Sequence, residues 1–492
     1  MADQFKYHKN LADLIEGSPN IEIKGLFFDS RQKMEDAIFF CVKGLVSDGH
    51  NFTKEAISNG AKVIVYEDEL EFYDKNVIYI KVASVLDSLN KVAASFYADP
   101  SSKLNIYAVT GTNGKTTIAS LISNILNNFQ KAGYIGTINT RYGNKIIQSQ
   151  HTTPDAITLQ STLAKMQKAD VKSVAVEISS HALEQKRVGS LKVNVAIYSN
   201  LSHEHLDYHG DMDTYFLAKS KLFSNLSKNA KAIINIDDDY GERMLEKSSG
   251  ENITYAIERD ADYKAFDIVY KKDYTSFKLK YKEKVFDIKT NLVAKFNVYN
   301  LLAALAALSQ SGLKLDLIIP LLENLQQVAG RVETVDLNQS FKVIVDYAHT
   351  PDGFEKIFSY ADAIKEDKKI IAVFGSAGKR DIVKRSILGE IADKYCDMII
   401  LTEDDPRQEG VRNIANQIAE GIEGNYVIID NRYDAIYQAV ELANAGDVIL
   451  LLGKGSDKYM ARADKKEFYP GDKEIVTKII KEYIIDFREE EY

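Results

Sequence analysis

Apolar positions in the last third of the chain come in short runs separated by longer segments with helical spacing. The runs are IIAVF at 370–374, MIIL at 398–401, VIID at 427–430 and VILLL at 448–452. Runs of this kind are typical of parallel strands covered on both faces, and their alternation with helices predicts βαβ units. We therefore expect a Rossmann-like, doubly wound domain with its ligand site at the carboxyl ends of the strands.

A second pattern joins a strand to a helix through a glycine-containing loop. The strand IYAV runs into TGTNGKTT, and apolar residues recur at helical spacing beyond it. Gly111 and Gly114 allow close backbone approach, so loop N–H groups can cradle phosphate oxygens. Lys115 is predicted to reach the β- and γ-phosphates of ATP, and Thr116 to hold Mg²⁺. The predicted nucleotide-binding residues here are Gly111, Thr112, Asn113, Gly114, Lys115, Thr116 and Thr117.

Two loop segments divide the chain into three predicted domains. ADPSSKLN at 98–105 precedes the strand IYAV, and AGRVETVDLNQS at 329–340 lies between a helical pattern and the strand FKVIVDYAH. The predicted fold class is α/β. Its parts are an N-terminal α/β domain at 1–100, a central parallel-sheet domain with the phosphate loop at 101–335, and the doubly wound domain at 336–492.

Composition narrows the class of protein. The 492 residues carry a net charge of −9 without a cluster of lysine and arginine, which argues against nucleic acid as a partner. The chain begins without a signal-peptide pattern, and no apolar run has the length of a bilayer span. Cys41 and Cys396 form no repeated metal-binding spacing, which fits a reducing compartment. We expect a cytoplasmic protein, monomeric and without stable membrane insertion.

Candidate metal ligands follow two apolar strands of the central segment. Glu177 ends the strand VAVE, and His203, His205 and His209 follow the strand IYSN. Each histidine taken alone is better explained as a hydrogen-bonding loop residue, and the nearby phosphate loop favours His205 as a ligand. Mg²⁺ prefers oxygen donors, and the spacing offers no closed set of zinc ligands.

Several motifs, in order along the chain, resemble those of the Mur ligases of peptidoglycan precursor synthesis. They are FFDSR, FCVKG, TGTNGKTT, HTTPD, EISSHALEQKRV, NLSHEHLDYHGDMDTYFLAKSKLF and KFNVYN. Four more, DYAHTPDG, GKRD, DDPR and GKGSDKY, look most like members that add the third amino acid to UDP-N-acetylmuramoyl-L-alanyl-D-glutamate. The resemblance implies an ATP-dependent ligase that phosphorylates the free carboxylate of this substrate and lets an amino group attack the acyl phosphate.

Two alternatives differ from this interpretation. Other Mur ligases and folylpolyglutamate synthases share the phosphate loop and the three-domain organisation, but HTTPD, DDPR and GKGSDKY argue against them. A regulatory ATP-binding module that has lost catalysis is the rival outside the enzyme class. The coexistence of Lys115, Glu177, His205 and Lys219 argues against it.

The resemblance also implies roles for residues around the nucleotide. Mg²⁺ would be held by Thr116 and Glu177, with His205 binding a second metal ion. Lys219, which its residue type alone would place on an exposed helix face, is implied to be carbamylated and to join the metal ligands. The catalytic set is then Lys115, Glu177, His205 and Lys219. The residues implied to frame ATP are Asn297, Asn300, Arg331, Asp346 and Tyr347.

The UDP-linked substrate is implied to span the first two domains. Ser30 and Arg31 of FFDSR would hold the UDP end. The residues implied to contact the muramoyl dipeptide are His151, Thr152, Thr153, Ser179, Gln185 and Arg187. Among them, Arg187 can pair with an anionic group.

The incoming amino acid is expected to meet the loop after the strand MIIL. Arg407, together with Arg380, suits a second carboxylate and favours meso-diaminopimelate over lysine. The family pattern DNPR is here DDPR, and GKGHE is GKGSD, so lanthionine and L-lysine stay open as alternatives. A carboxylate at Asp405 would repel that of the substrate unless a cation intervenes. The residues assigned to this site are Arg380, Asp404, Asp405, Pro406, Arg407, Gly453 and Asp457.

Overall fold

A short parallel sheet forms the N-terminal part of the chain. The computed structural model describes residues 7–44, 47–271 and 273–490, without the side chains of 483–490. The first elements are β1 (Lys9–Asn10), α1 (Leu11–Leu14), β2 (Glu22–Ile23), β3 (Gly25–Phe27), β4 (Ala37–Phe40), α2 (Thr53–Ser58), β5 (Ala61–Tyr66), β6 (Ile78–Lys81) and α3 (Val85–Phe96). Strands β3 to β6 pair in sequence order, all parallel, and apolar clusters cover both faces.

The second sheet carries the phosphate loop. Its strands are β7 (Asn105–Thr110), β8 (Ala132–Ile135), β9 (Asn139–Tyr142), β10 (Lys145–Gln148), β11 (Ser173–Glu177), β12 (Val195–Tyr198), β13 (Lys231–Asn235), β14 (Glu251–Ala256), β15 (Tyr263–Tyr270), β16 (Thr275–Tyr281) and β17 (Lys284–Thr290). The spatial order is β10-β9-β8-β11-β7-β12-β13-β14-β15-β16-β17. The seven neighbouring strands β8-β11-β7-β12-β13-β14-β15 are parallel. Antiparallel pairing adds β9 and β10 at one edge and β16 and β17 at the other.

Helices cover both faces of this second sheet. They are α4 (Lys115–Leu126), α5 (Ala156–Lys168), α6 (Ser180–Glu184), α7 (Leu206–His209), α8 (Met212–Ser224), α9 (Gly241–Lys247), α10 (Lys295–Gln310) and α11 (Leu315–Ile318). Apolar side chains of α4 and α10 build one core, and those of α5 and α8 build the other. Two covered faces explain why the parallel strands read as continuous apolar runs.

The third sheet is built from the runs that the sequence pattern marked as strands. Its elements are β18 (Glu333–Val335), β19 (Lys342–Asp346), α12 (Pro351–Ile364), β20 (Ile370–Phe374), α13 (Lys384–Tyr395), β21 (Met398–Leu401), α14 (Val411–Ala419), β22 (Tyr426–Ile428), α15 (Arg432–Leu442), β23 (Val448–Leu452), β24 (Tyr459–Arg462), β25 (Lys465–Phe468) and α16 (Asp472–Glu490). The order is β18-β19-β23-β20-β21-β22, with only β18 antiparallel among these six. The hairpin β24–β25 stands apart.

The predicted three-part α/β architecture is confirmed. Strand β18 pairs with β19 of the third sheet although it precedes the boundary predicted near residue 335. The boundaries themselves stay predictions. Within the described ranges, no helix combines the length and the apolar character needed to cross a bilayer.

A buried ion pair fixes α16 against the third sheet. Arg432 donates to Asp472 through Nε at 2.8 Å and through Nη2 at 2.7 Å, and neither side chain is exposed to solvent. Nη2 also donates to the carbonyl oxygen of Leu452 at 2.8 Å, and Tyr469 donates to the Asp472 carboxylate. Burial alone would lower the pKa of Arg432, but the Asp472 carboxylate raises it above its ordinary value.

Replacing Asp472 by alanine is expected to lower the free energy of unfolding by about 3–5 kcal/mol, because the buried guanidinium loses its partner. Urea unfolding followed by circular dichroism measures the change. Lys478→Ala on the same helix is the control, since its pair with Glu482 is exposed and contributes about 0–1 kcal/mol. Equal shifts in the two variants would contradict a stabilising role for the buried pair.

Candidate active site

Two glycines let the phosphate loop pack closely against its neighbours. The loop connects β7 to α4, and Gly111 and Gly114 have φ values of +148° and +88°. A Cβ on Gly111 would lie 1.9 Å from Ser199 Oγ, and one on Gly114 would lie 2.4 Å from Asn300 Oδ1. Both distances are far inside van der Waals contact, so a larger residue would displace the loop. The predicted strand, loop and helix are therefore present, and a helix N-terminus follows the loop, as phosphate binding requires.

Two lysines, the half-buried Lys115 and the buried Lys219, meet at one carbonyl group of this loop. Lys115 Nζ donates to the carbonyl oxygens of Gly111 at 2.9 Å and Thr112 at 2.8 Å. Lys219 of α8 is 1% exposed; its Nζ donates to the same Gly111 oxygen at 2.8 Å and lies 4.4 Å from the ring centroid of Tyr215. Burial lowers the pKa of both lysines, and the Lys115 charge lowers that of Lys219 further. The residue-type expectation of an exposed lysine at position 219 is wrong.

The structure brings Thr116 and Glu177 into direct contact. Thr116 Oγ1 donates to Glu177 Oε2 at 2.9 Å, and the fully buried carboxylate also accepts from Tyr134 Oη at 2.5 Å and Thr137 N at 3.0 Å. A hydroxyl and a carboxylate are the hard oxygen donors that Mg²⁺ prefers. The described residues contain no cluster of three histidine, cysteine or acidic side chains that could hold a metal alone. A magnesium ion bound through one or two protein groups and phosphate oxygens needs no such cluster.

The three candidate histidines have different surroundings. His203 is exposed, whereas His209 is buried and its Nε2 lies 3.0 Å from Ser180 Oγ. His205 has a left-handed φ of +57°, and its Nε2 lies 3.7 Å from Glu204 Oε2. Burial lowers the pKa of His205 to about 4, which keeps the imidazole neutral and able to bind a metal. His205 therefore remains the candidate ligand, and the hydrogen-bonding alternative fits His209.

Polar contacts join the phosphate-loop side to the third sheet unit. Asn113 Nδ2 donates to Asp352 Oδ2 at 2.7 Å, and His349 Nε2 lies 3.1 Å from Glu204 Oε1. Lys384 Nζ donates to the carbonyl oxygen of His349 at 2.8 Å. Burial would raise the pKa of Glu204, but the neighbouring histidines and Lys115 hold it below its usual range. Motif matching did not single out Glu204, His349 or Lys384, although all three lie inside or beside the motifs used.

A cavity of about 800 Å³ opens beside the phosphate loop. Seven of the residues predicted to hold ATP line it: Asn113, Gly114, Thr117, Asn300, Arg331, Asp346 and Tyr347. Asn297 supports the wall, since its Oδ1 accepts from Asn300 Nδ2 at 3.0 Å. Arg331 reaches back to Thr116 Oγ1 at 3.3 Å. The volume and the lining fit a nucleotide whose phosphates point to the loop.

Asp346 ends β19 at the rim of this cavity. Its carboxylate accepts from Val332 N and Ala348 N, each at 2.7 Å. Burial raises the pKa of Asp346, and the Arg331 charge opposes that shift. The two backbone bonds fix the carboxylate, whose remaining lone pairs can accept from ribose hydroxyls.

The residues predicted to hold the muramoyl dipeptide lie together beside Glu177. Thr153 Oγ1 donates to the carbonyl oxygen of Glu177 at 2.8 Å and accepts from Ser179 N at 3.0 Å. Arg187 donates to the carbonyl oxygen of Thr153 at 2.9 Å and to Gln185 Oε1 at 2.7 Å. The six residues of this group are His151, Thr152, Thr153, Ser179, Gln185 and Arg187.

Ser30 and Arg31 lie apart from that group, just after β3. Ser30 is buried and donates to Glu55 Oε2 at 2.5 Å. Arg31 is exposed and donates to Asp29 through Nε at 2.8 Å and through Nη2 at 2.7 Å. Among the described residues, neither makes a hydrogen bond to the phosphate loop. They stay predictions for a site within the first sheet unit.

Loops after β20, β21 and β23 converge where a doubly wound sheet places its ligand. Arg407 Nη1 donates to the carbonyl oxygen of Gly378 at 3.0 Å, and a Cβ on Gly378 would lie 2.0 Å from Pro406 O. Asp404 packs on Gly453, whose Cβ would lie 2.2 Å from Asp404 Oδ2. Arg380 is exposed in the first of these loops. The structure therefore brings together the loops that carry the predicted amino-acid site.

Asp405 has a cationic partner that the motifs did not reveal. Lys454 Nζ lies 2.8 Å from Asp405 Oδ1 and 3.5 Å from Asp457 Oδ2. Lys454 is buried, and the neighbouring carboxylates raise its pKa against the effect of burial. Asp405 and Arg407 both adopt left-handed φ values, +48° and +52°. Strained non-glycine residues held in this way are concentrated at functional sites.

Family comparisons cover the same three parts of the chain. The Mur ligase family catalytic domain matches residues 22–97, the Mur ligase middle domain 109–308, and the Mur ligase glutamate ligase domain 330–455. A protein of Halalkalibacterium halodurans named UDP-N-acetylmuramoyl-L-alanyl-D-glutamate–2,6-diaminopimelate ligase is 39% identical over 456 residues, 92% of each chain.

Solved structures agree with these matches. A structure of a ligase with the same name is 29% identical, covers 96% of this chain and 99% of its own, and has a TM-score of 0.68. The MurF ligase of Thermotoga maritima in complex with ADP shares the fold at 18% identity, with a TM-score of 0.64 over 93% of this chain and 97% of its own. With matches along nearly its whole length, the chain belongs to the Mur ligase family of ATP-dependent, amide-bond-forming ligases.

Proposed function

We propose that the protein joins meso-diaminopimelate to UDP-N-acetylmuramoyl-L-alanyl-D-glutamate in peptidoglycan precursor synthesis, as a cytoplasmic monomer. The observation that carries this proposal is the convergence of Arg407 with the loop of Gly378, in a third sheet unit joined by the Asn113–Asp352 contact to the phosphate loop. The names of the relatives at 39% identity support the same pair of substrates.

The proposed reaction has two steps. An oxygen of the free substrate carboxylate attacks the γ-phosphorus of ATP, an O–P bond forms, and ADP leaves. The amino group of diaminopimelate then attacks the acyl carbon, a C–N bond forms, inorganic phosphate leaves, and the nitrogen loses a proton. Transfer of this kind depends on positioning and charge neutralisation. Lys115 supplies positive charge at the phosphates, and the loop N–H groups orient them.

Thr116 and Glu177 are proposed to hold Mg²⁺, and His205 with carbamylated Lys219 a second metal ion. Bound there, the metal neutralises the negative charge that develops on the phosphoryl oxygens. The mutual contact of Thr116 and Glu177 at 2.9 Å supports the first assignment. The burial of Lys219 beside Lys115 supports the second, because a free ammonium there would repel a metal whereas a carbamate would attract it.

Carbamylation requires a neutral amine as its nucleophile. Carbon dioxide adds to Lys219 Nζ, a N–C bond forms, and the nitrogen loses a proton. Burial and the Lys115 charge lower the pKa of Lys219, which leaves its amine free to react. The product places an anion next to Lys115, where the unmodified side chain carries no negative charge.

Lys115→Ala is expected to lower kcat for ADP release by about 10²- to 10³-fold, since the cation at the transferred phosphoryl group is lost. The assay measures ADP release that depends on UDP-N-acetylmuramoyl-L-alanyl-D-glutamate. Lys103→Ala, at an exposed position before the same strand, is the control and should keep full activity. ADP release independent of the UDP-linked substrate would contradict the ligase reaction.

Lys219 is expected to incorporate ¹³C from labelled bicarbonate as a carbamate visible by NMR, because its buried amine can add carbon dioxide. Lys219→Ala should lose that signal and about 10²-fold or more of kcat. Lys221→Ala, two residues away on the exposed face and paired with Glu184, should keep both. An unlabelled, fully active wild-type enzyme would refute carbamylation.

The amino-acid preference is tested with diaminopimelate, lanthionine, lysine and ornithine in steady-state assays. We expect diaminopimelate to be preferred, and Arg407→Ala to raise its KM by about 10- to 100-fold, since a charged hydrogen bond to the distal carboxylate is lost. Lysine lacks that carboxylate, so its KM should be the same for the wild-type enzyme and for Arg407→Ala. Arg412→Ala, an exposed arginine paired with Asp430, is the matched control. A preference of the wild-type enzyme for lysine would contradict the assignment of diaminopimelate as the incoming amino acid.

A further inference from the structure

Three carboxylates surround the single buried ammonium of Lys454. Its Nζ lies 2.8 Å from Asp405 Oδ1 and 3.5 Å from Asp457 Oδ2, and the charge of Asp404 also acts on it. The Lys454 side chain is 1% exposed, that of Asp405 13% and that of Asp457 19%. The cluster sits where the loops after β21 and β23 meet, and the loop after β21 carries Arg407 as well as Asp404 and Asp405.

Asp405 is held by one of its two carboxylate oxygens. Oδ1 accepts from Lys454 Nζ and from Ala461 N, each at 2.8 Å. Within the described part of the chain, Oδ2 takes no hydrogen bond. The backbone is fixed as well, because Asp405 N donates to Met460 Sδ at 3.2 Å and its φ is +48°. The carboxylate is therefore oriented before any amino acid arrives, with one oxygen left as an acceptor.

The charges of this cluster do not balance among themselves. Asp404, Asp405 and Asp457 bring three carboxylates against one ammonium. Burial raises the pKa of Asp404 and Asp457, in keeping with carboxylates whose neutralisation by Lys454 is incomplete. Arg407 brings positive charge on the same loop, two residues after Asp405. A ligand that carries an ammonium and a carboxylate on the same carbon would complement both sides.

We propose that Lys454 is a positioning residue that fixes Asp405 as the acceptor for the distal ammonium of the incoming amino acid. The inference rests on the proposed function. Lys454 draws Oδ1 away and neutralises part of its charge, so the distal carboxylate is not repelled from Arg407. Oδ2 accepts from the distal ammonium. The site therefore recognises the two distal groups of the incoming amino acid separately: Arg407 binds the carboxylate and Asp405 binds the ammonium.

The test compares diaminopimelate with 2-aminopimelate, which keeps the reacting amine and both carboxylates and lacks only the distal ammonium. Wild-type enzyme should favour diaminopimelate in kcat/KM by about 10- to 100-fold, as expected for one charged hydrogen bond. Asp405→Asn should reduce that ratio about tenfold. Lys454→Met should raise the KM for diaminopimelate and leave those for ATP and the UDP-linked substrate within about twofold.

The double variant Lys454→Met/Asp405→Asn separates positioning from a structural role. If Lys454 acts through Asp405, the double variant should discriminate between the two amino acids like Asp405→Asn alone. Lys458→Met, at an exposed lysine paired with Glu474, is the control and should resemble wild type. Thermal melting identifies variants that fail to fold. If the Lys454 variants fail to fold, the kcat/KM ratio of the two amino acids in Asp405→Asn still tests whether Asp405 accepts from the distal ammonium.

Failure of the inference and failure of the proposed function give different results. Diaminopimelate-dependent ADP release with an unchanged ratio in Asp405→Asn would overturn this inference alone, as would Lys454→Met raising all three KM values together. No diaminopimelate-dependent ADP release by the wild-type enzyme would overturn the proposed function itself.

Discussion

The carbonyl oxygen of Gly111 accepts hydrogen bonds from the half-buried Lys115 and the buried Lys219. Burial lowers the pKa of both amines, and the Lys115 charge lowers that of Lys219 further, so positive charge here is unfavourable until anions join it. The phosphate loop leads into the N-terminus of α4, which favours the binding of such anions. The positive potential at this point favours the binding of a triphosphate and the formation of a carbamate on Lys219. The remaining groups of the site are arranged around this point.

The carboxyl ends of two parallel sheets bring the other groups to that point. Glu177 ends β11 and the phosphate loop follows β7, while the amino-acid loops follow β20, β21 and β23. Contacts such as Asn113–Asp352 and Glu204–His349 link the two sheet units across the cavity. In the proposed reaction, activation of a carboxylate and attack by an amine thus share one cleft, although the residues proposed for them come from distant parts of the chain.

The sequence predicted those structural features that depend on residues close together in the chain. The strand, loop and helix around Gly111 and Gly114 could be predicted because glycine spacing and apolar periodicity are properties of neighbouring residues. The burial of Lys219 could not, since it depends on packing against Tyr215 and a loop 108 residues away. The partner of Asp405 was equally hidden, because Lys454 lies 49 residues further along the chain. The motifs therefore located the loops at the carboxyl ends of the strands, but not the ionic partners that these loops receive from distant parts of the chain.

The shared partner of Asp405 and Asp457 has a consequence for how such sequences diverge. Both departures from the family motifs, in DDPR and in GKGSD, meet at Lys454. An exchange at either position changes the charge that the other position faces, so the two motifs are expected to vary together during evolution. In this chain, the effect of a substitution at Asp405 therefore depends on the residue at position 457, because both face Lys454.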